Sequence, residues 1–213
     1  MTDEVKRVLI LASSAKNKNL CVAGLDFKSK KLIRLVSNIE DTDGAIPKSY
    51  MNGIDVGDVV DIGVLHSYPN KYQPENYLVN FCKKPLIQSR FNNNQITEIM
   101  EGYSYSDLFI FGNTDSVLSS HEMENNSTSL AWVHVNEVSV YLIESYGKKK
   151  TRTNFFYNGF KYNNIRVTDQ KFFNSEEKMP EAYFLMSLPH KPWITDSGKE
   201  LYYKFVAKIF PAG

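Results

Sequence analysis

The chain has 213 residues, 42% of them hydrophobic and 13% aromatic, so it can bury a substantial core and disorder is not expected. Its 25 lysines and arginines nearly balance its 24 aspartates and glutamates, which excludes nucleic-acid binding through bulk positive charge. The two cysteines, Cys21 and Cys82, make no disulfide framework, and both lie in apolar runs that predict buried thiols. The apolar run at residues 8–12 is too short for a signal peptide or a membrane span, so we expect a cytoplasmic protein without membrane contact.

Strand patterns fill the first ninety residues. Apolar runs predict buried strands at residues 7–13, 20–27, 32–37, 57–65 and 77–82. The polar residues 28–31 separate two of these runs and predict a hairpin loop. No convincing helix interrupts the series, and short strands at this spacing are typical of a small barrel or sandwich.

The middle of the chain has a different character. Residues 95–112 are the best helical candidate, and Asn94 is in a position to cap such a helix. The polar residues 119–129 predict a linker or a long loop.

Strand patterns resume after residue 129. Residues 130–135 and 138–144 are predicted to form a hairpin, and residues 182–188 and 201–210 to form further strands. Within residues 151–169, the pair Asn158-Gly159 is typical of a two-residue type I′ turn. The sequence therefore predicts an all-β protein whose halves, residues 1–92 and 129–213, are joined by a partly helical connector at residues 93–128.

Several segments together resemble a family of bacterial proteins described as dual OB-containing domain proteins. They are CVAGLDFKSKKLIRLVS, VGDVVDI, YQPEN, FFYNGFKYNNIRVTD and FLMSLPHKP followed by KFVAKI, in this order along nearly the whole chain. The resemblance implies two OB-like small β-barrels and suggests nucleic-acid or nucleotide binding; it supplies no catalytic residues. The chain departs from the expected Trp-Ile-Arg-Pro-Val-Ser pattern at residues 32–37, where the tryptophan and the proline are replaced but the arginine, Arg34, is kept.

Arg34 lies in the middle of the third predicted strand. If the loop at residues 28–31 pairs Phe27 with Leu32, then Leu25 lies opposite Arg34 on an otherwise apolar face. A buried guanidinium needs an anionic partner, because burying it alone costs several kcal/mol.

Two interpretations of that partner are open. One is an internal salt bridge from Arg34 to Asp61 or Glu75, and the other is a phosphate or carboxylate of a ligand. Tyr72, Gln73 and Glu75, in the segment YQPEN, are ligand candidates on the same reasoning, although such a segment before a strand is commonly only a turn.

The aromatic hairpin offers two faces. A two-residue turn pairs Tyr157 with Phe160 and Phe155 with Tyr162, so these four rings share one face, which is either a barrel wall or a platform for stacked bases. The other face carries polar and cationic groups. The ligand candidates from the two faces are Phe155, Tyr157, Arg152, Phe156 and Lys161.

A basic run at residues 147–152 precedes this hairpin. Lys148, Lys149, Lys150 and Arg152 are suited to follow a phosphate backbone, since loops between OB strands frame the binding groove. The alternative interpretation is a solvated turn.

Catalytic and cofactor motifs are absent from the sequence. Phosphate-binding glycine motifs are missing, the four histidines are scattered, and no metal site or cofactor is predicted. The preferred function is therefore non-enzymatic binding of single-stranded nucleic acid or a nucleotide. Two alternatives remain: a protein-interaction or accessory subunit of a bacterial defence or mobile-element system, and a small-molecule or nucleotide-processing enzyme with a pocket between the barrels.

Overall fold

The computed structural model describes residues 4–16, 18–145 and 147–212, and strands make up most of them. The chain divides into two compact units. Unit 1 comprises Met1–Asn70 and Pro74–Ile99, and unit 2 comprises Lys71–Gln73 and Met100–Gly213. Residues 93–99 of the expected connector group with unit 1, whereas residues 100–128 group with unit 2.

Unit 1 is a six-stranded sheet that closes on itself. Its strands are β1 (Glu4–Lys16), β2 (Asn19–Asp26), β3 (Lys31–Val36), β4 (Asp58–Ser67), β5 (Asn76–Val79) and β6 (Leu86–Arg90). β1 pairs with β2 on one edge and with β4 on the other, and β3 runs parallel to β5. Because β5 also pairs with β4, the order β1-β2-β3-β5-β4 returns to β1, and β6 extends β4.

The strands of unit 1 are buried on both faces. Val22, Ile33 and Leu35 point into its core cluster, and successive side chains of a strand point in opposite directions. Leu25 and Val36 therefore point away from that core, yet they are buried as well. Burial on both faces explains why these strands appear in the sequence as nearly continuous apolar runs rather than as an alternation.

The predicted helix is shorter than expected. Helix α1 covers Asn93–Met100, and single turns of 3-10 helix follow at Glu101–Tyr103 and Ile110–Gly112. The predicted cap, Asn94, is wrong: Asn92 accepts from the Gln95 backbone N–H at 3.0 Å, and the Gln95 side chain accepts from the Asn92 N–H at 3.0 Å. This reciprocal capping makes Asn92 the N-cap, two residues before the predicted cap.

Unit 2 contains a closed barrel and a small second sheet. Its strands are β7 (Val117–Ser119), β8 (Leu130–Ser145), β9 (Lys148–Tyr157), β10 (Phe160–Val167), β11 (Glu177–Ser187), β12 (Trp193–Ile194), β13 (Glu200–Tyr203) and β14 (Phe205–Pro211). The barrel order is β10-β14-β11-β8-β9, and β10 runs parallel to β14. Unit 2 thus repeats the connectivity of unit 1, with a long first strand paired on both edges. The small sheet has the order β12-β13-β7.

The hairpin predicted between residues 130 and 144 is wrong, since these residues form the single strand β8. Its register against β9 shifts between Asn136 and Ser139, where Glu137 has a φ of 51°. This bulge bends one long strand so that it pairs with β11 and with β9. In the sequence, the two polar residues 136 and 137 resemble a turn because a bulge and a turn favour the same residue types.

Residues 119–129, predicted as a linker or a long loop, contain a capped helix. Helix α2 covers Ser120–Glu124. The Ser119 hydroxyl accepts from the Glu122 backbone N–H, and the Glu122 carboxylate accepts from the Ser119 N–H at 2.8 Å, which is a capping box.

A buried lysine links the start of β14 to the 3-10 turn at Ile110–Gly112 and to Asn113, which follows it. Lys204, between β13 and β14, is fully buried and donates to the carbonyl oxygens of Ile110 and Asn113 at 2.7 and 2.6 Å and to Asn113 Oδ1 at 2.8 Å. Burial lowers the pKa of its ammonium group to about 7. Because Lys204 points inward, the adjacent residues Tyr203 and Phe205 point away from the core.

Candidate functional site

Arg34 is buried beside a carboxylate of its own unit. The observed register pairs Leu25 with Leu32 and Ala23 with Arg34, so the expected pairing of Leu25 with Arg34 is wrong by two residues. A two-residue slip keeps the alternation, and Arg34 therefore shares a face with Leu25 as expected. Its Nη2 lies 3.5 Å from Glu75 Oε1, and the side chains of Arg34 and Glu75 are only 9% and 8% exposed.

Of the two carboxylates considered for Arg34, Glu75 is the one that pairs with it. Asp61 instead accepts two hydrogen bonds from Arg7, at Nε and Nη2, both 2.8 Å long. Gln88 also donates to Asp61 at 2.8 Å. The Arg7 guanidinium and its hydrogen bonds hold the pKa of the Asp61 carboxyl below its usual range.

Tyr72 and Gln73, the other two candidates in the YQPEN segment, have packing roles in unit 2. The Tyr72 ring lies 5.1 Å from the ring of Tyr202. Gln73 is buried, and its amide donates to the Leu188 carbonyl oxygen at 3.0 Å.

The aromatic face of the predicted hairpin lies in the core of unit 2. The pairings of Tyr157 with Phe160 and of Phe155 with Tyr162 are confirmed, and Asn158 and Gly159 have φ values of 50° and 79°, as a type I′ turn requires. Phe155, Tyr157 and Tyr162 are buried, and the Tyr157 hydroxyl donates to a backbone carbonyl. The barrel-wall interpretation therefore describes these three rings, and Phe155 and Tyr157 expose no ring face on which a base can stack.

The basic run lies in strand β9 and not in a loop. Residues 148, 150 and 152 alternate with Thr151 and Thr153, which are buried. Lys148, Lys150 and Arg152 therefore share the outward face of β9, whereas Lys149 has the alternation of the inward residues. Lys149 lies opposite Glu144 on β8. Of the four predicted cations, three therefore lie on the outward face of β9, and Lys149 does not.

A row of four residues crosses the outward face of the barrel. Tyr141 on β8 is paired with Arg152 on β9, Arg152 with Arg166 on β10, and Arg166 with Phe205 on β14. We call these four residues the arginine row. Directly paired residues have Cβ atoms about 5 Å apart, so the two guanidinium groups are held as neighbours by the backbone register.

The two arginines of this row have no acidic partner. Within the described ranges, neither Arg152 nor Arg166 forms an ion pair with a carboxylate, and Arg152 Nε and Nη1 are buried without a hydrogen-bond acceptor. Burial lowers the pKa of the Arg152 guanidinium, the charge of Arg166 lowers it further, and the phenols of Tyr141 and Tyr203 raise it. Like charges in directly opposed positions destabilise a sheet. The row is therefore an electrostatically unfavourable arrangement in the protein alone.

The two aromatic members of the arginine row each contact a neighbouring polar or cationic group. The Arg166 guanidinium lies 5.6 Å from the centre of the Phe205 ring, which is a cation–π distance. The Tyr141 hydroxyl donates to Asn154 Oδ1 at 3.2 Å. Further along the hairpin, Lys161 is paired with Phe156, and both point outward. Of the predicted ligand residues, Lys148, Lys150, Arg152, Phe156 and Lys161 are thus brought to one face.

A β-bulge sets the position of Arg166. The register between β9 and β10 shifts by one residue between Tyr162 and Ile165, and Asn164 has a φ of 57°. The Asn164 backbone N–H donates to Asn154 Oδ1 at 2.8 Å, which stabilises the extra residue. Sequence reasoning missed Arg166 because strict alternation from the turn places it on the inward face. The consecutive asparagines at 163 and 164, which tolerate positive φ, are the signal that identifies the bulge.

Two other kinds of site are absent from the described residues. Within the ranges given above, no three histidine, cysteine, aspartate or glutamate side chains gather in a metal-binding arrangement. No helix among them is long and apolar enough to cross a membrane.

Of the two thiols, Cys82 is exposed and Cys21 partly exposed, so the prediction that both are buried is wrong.

Comparison with known proteins identifies the family. The model of the dual OB-containing domain matches residues 6–209. No curated protein sequence matches the chain. Among solved structures, one described as the crystal structure of the tetrameric p202 HIN2 is similar over 97% of this chain and 93% of that chain, with 9% identity and a TM-score of 0.34, a likeness too distant to support an argument. The family match confirms the predicted all-β class with two OB-like barrels. The chain therefore belongs to the dual OB-containing domain family.

Proposed function

We propose that the chain is a non-enzymatic binding module that holds nucleic acid on the outward face of β9 and β10. The observation that carries this proposal is the pair Arg152 and Arg166, directly opposed on neighbouring strands with no carboxylate partner among the described residues. An anion between the two guanidinium groups relieves their repulsion, so the unfavourable charge in the free protein becomes binding free energy.

Phosphate is the anion that this arrangement fits best. The guanidinium fork matches the oxygens of a phosphate group. The second and third strands of an OB barrel, which are β9 and β10 here, form the face on which such barrels bind oligonucleotides. Aromatic rings beside phosphate contacts are typical of single-strand binding, where bases stack on them. Tyr141 and Phe205 have this position at the two ends of the arginine row.

The other cations have subordinate roles in this proposal. Lys148 and Lys150 continue the outward face from Arg152 toward the start of β9, and Lys161 lies on the same face toward the turn. A strand of nucleic acid that follows this face meets about three to five positive charges. Since each neutralised phosphate of a single strand adds about 0.7 to the salt slope, log Kd should rise with log salt with a slope of roughly 2 to 3.5.

The test is a binding panel with the full chain. Fluorescence anisotropy with a labelled fifteen-nucleotide DNA, the matching RNA, a duplex and single nucleotides gives the dissociation constants. The double variant Arg152→Gln and Arg166→Gln should weaken single-strand binding by about a hundredfold, since each charged hydrogen-bonding group contributes about 1.5 kcal/mol.

Lys149→Gln is the matched control, because Lys149 is on the same strand with the inward alternation. Its affinity should stay within about twofold of wild type. Absence of any nucleic-acid binding below high micromolar concentration contradicts the proposal and leaves protein interaction as the better alternative. Equal binding by wild type and the double variant contradicts the assigned face.

A further inference from the structure

The β12–β13 hairpin presents an exposed tryptophan that has no role in the core. Trp193 and Ile194, which form β12, are 52% and 53% exposed. The other tryptophan of the chain, Trp132, is fully buried. A large ring left half in water gains little packing free energy, so a surface tryptophan is informative where it adjoins a binding face.

The exposed tryptophan contacts Tyr203, a residue close in the chain to the arginine row. The ring centre of Trp193 lies 6.1 Å from that of Tyr203, in an edge-on arrangement. Tyr203 is electrostatically coupled to Arg152, and it stands two residues before Phe205, on the same outward side of the chain. Tyr203 therefore links Trp193, on β12, to the row.

The hairpin is rigidly built. Thr195 and Lys199 close its turn with a backbone hydrogen bond of 2.9 Å, and the Thr195 hydroxyl accepts from the Lys199 N–H at 2.9 Å. β13 is paired with β7 on its other edge, and the Ser120 hydroxyl donates to the Glu200 carboxylate at 2.7 Å. A preorganised arm loses little conformational entropy on binding, which favours a recognition role.

We propose that the β12–β13 hairpin is a base-stacking arm, so that the ligand of the arginine row is a single strand with unpaired bases. This inference rests on the proposed function. A phosphate lies between Arg152 and Arg166, and the base of a neighbouring nucleotide stacks on the ring of Trp193 beside Tyr203. A duplex keeps the faces of its bases stacked within the helix, so it offers no free base to stack on the ring of Trp193.

The experiment uses tryptophan emission of the full chain. Three ligands of equal length are titrated: a twelve-nucleotide oligo(dT), an abasic oligomer that has the same phosphates without bases, and a duplex. Oligo(dT) should quench the emission, because Trp193 is the exposed tryptophan, and should bind about tenfold more tightly than the abasic oligomer. The duplex should quench nothing.

Two substitutions at the same position separate stacking from the optical signal. Trp193→Phe keeps an aromatic face and should retain the affinity for oligo(dT) within about threefold while losing the quenching. Trp193→Ala should lose the quenching and about tenfold in affinity, and its affinity for the abasic oligomer should not change.

The outcomes distinguish this inference from the proposed function. If oligo(dT) and the abasic oligomer bind equally well and Trp193→Ala binds as wild type does, the arm is not a stacking site, although nucleic-acid binding stands. If neither oligomer binds, the proposed function itself fails. Binding of the duplex with equal affinity and equal quenching overturns the single-strand assignment.

Discussion

The two barrels have the same strand connectivity but differ in the side chains that their second and third strands point away from the core. In unit 1, the face of β2 and β3 that points away from the core is buried and apolar, and its arginine, Arg34, is paired with Glu75. In unit 2, the corresponding face of β9 and β10 carries Arg152 and Arg166 with no carboxylate partner in the described part of the chain. The difference teaches that an arginine on an OB strand indicates a ligand site only when the chain does not supply the anion itself.

The largest expected effect separates a structural arginine from a binding one. Arg34→Met keeps the length of the side chain and leaves the buried Glu75 carboxylate without its guanidinium, so the free energy of unfolding should fall by about 3 kcal/mol. Urea denaturation followed by far-ultraviolet circular dichroism measures this change.

The matched control for Arg34 replaces both members of the pair. Arg34→Met with Glu75→Leu removes both charges and should recover most of the lost stability, since apolar pairs often replace buried ion pairs without cost. If Arg34→Met folds with full stability but loses nucleic-acid binding, the structural role given to Arg34 is contradicted.

The second prediction concerns the buried cation of unit 2. Lys204→Met leaves three oxygen atoms of Ile110 and Asn113 without their donor, and the free energy of unfolding should fall by about 2 kcal/mol. Tryptophan emission during denaturation measures the effect, because both tryptophans belong to unit 2.

The pH dependence of that effect has a definite sign. Burial lowers the pKa of Lys204 to about 7, from 10.5 in the unfolded chain. Between these values the unfolded state binds more protons, so the stability contributed at this site should rise with pH from about 7 to 10.5. The stability difference between wild type and Lys204→Met should therefore grow from pH 7 to pH 9. A difference that shrinks over this range contradicts the assignment.

The third prediction applies to unit 2 the substitution used at Arg34. Arg152→Met removes a charge that faces Arg166 and eliminates buried donors without acceptors, so the free energy of unfolding should rise by about 1 kcal/mol. The same variant should bind single strands about tenfold more weakly. Greater stability combined with weaker binding is the result expected of a charge pair kept for binding. If Arg152→Met instead lowers the free energy of unfolding, Arg152 has a structural role like that of Arg34.

The smallest expected effect compares two neighbouring lysines of β9. Lys148→Gln removes an outward charge and should weaken single-strand binding by about two- to threefold, whereas Lys149→Gln should change it less. Titrations at two salt concentrations measure both, and the salt slope should fall by about 0.7 only for Lys148→Gln. Equal effects would show that the lysines act through net charge and not through the strand face.

Sequence patterns predicted the elements with strong local signals. The apolar runs located most of the long strands, and Asn158-Gly159 located the turn, because alternation and turn chemistry are local properties. Short strands with exposed side chains, such as Leu86–Arg90, have no such signal and were missed. The burial of Phe155 and Tyr157 was left open because alternation defines two faces without saying which one meets the core.

The candidate site was predicted only in part. Arg152 and Lys161 were identified from composition and position, but Arg166 was not, because a bulge changes the face of every residue after it. Tyr141 and Phe205 reach the row through pairings with β8 and β14, which are distant in sequence. Long-range register of this kind depends on how the barrel closes, and no local pattern specifies it.

The extra residue at Asn164 has a consequence for the lengths that this hairpin tolerates. Without Asn164, the register set by the turn continues without a shift, so Ile165 still lies opposite Thr153 and Arg166 still lies opposite Arg152. One residue can therefore be lost at the bulge without turning either side chain to the other face, whereas an insertion between Ile165 and Arg166 would point Arg166 into the barrel. Relatives that keep an arginine pair here should therefore differ in length at the bulge and not between these two residues.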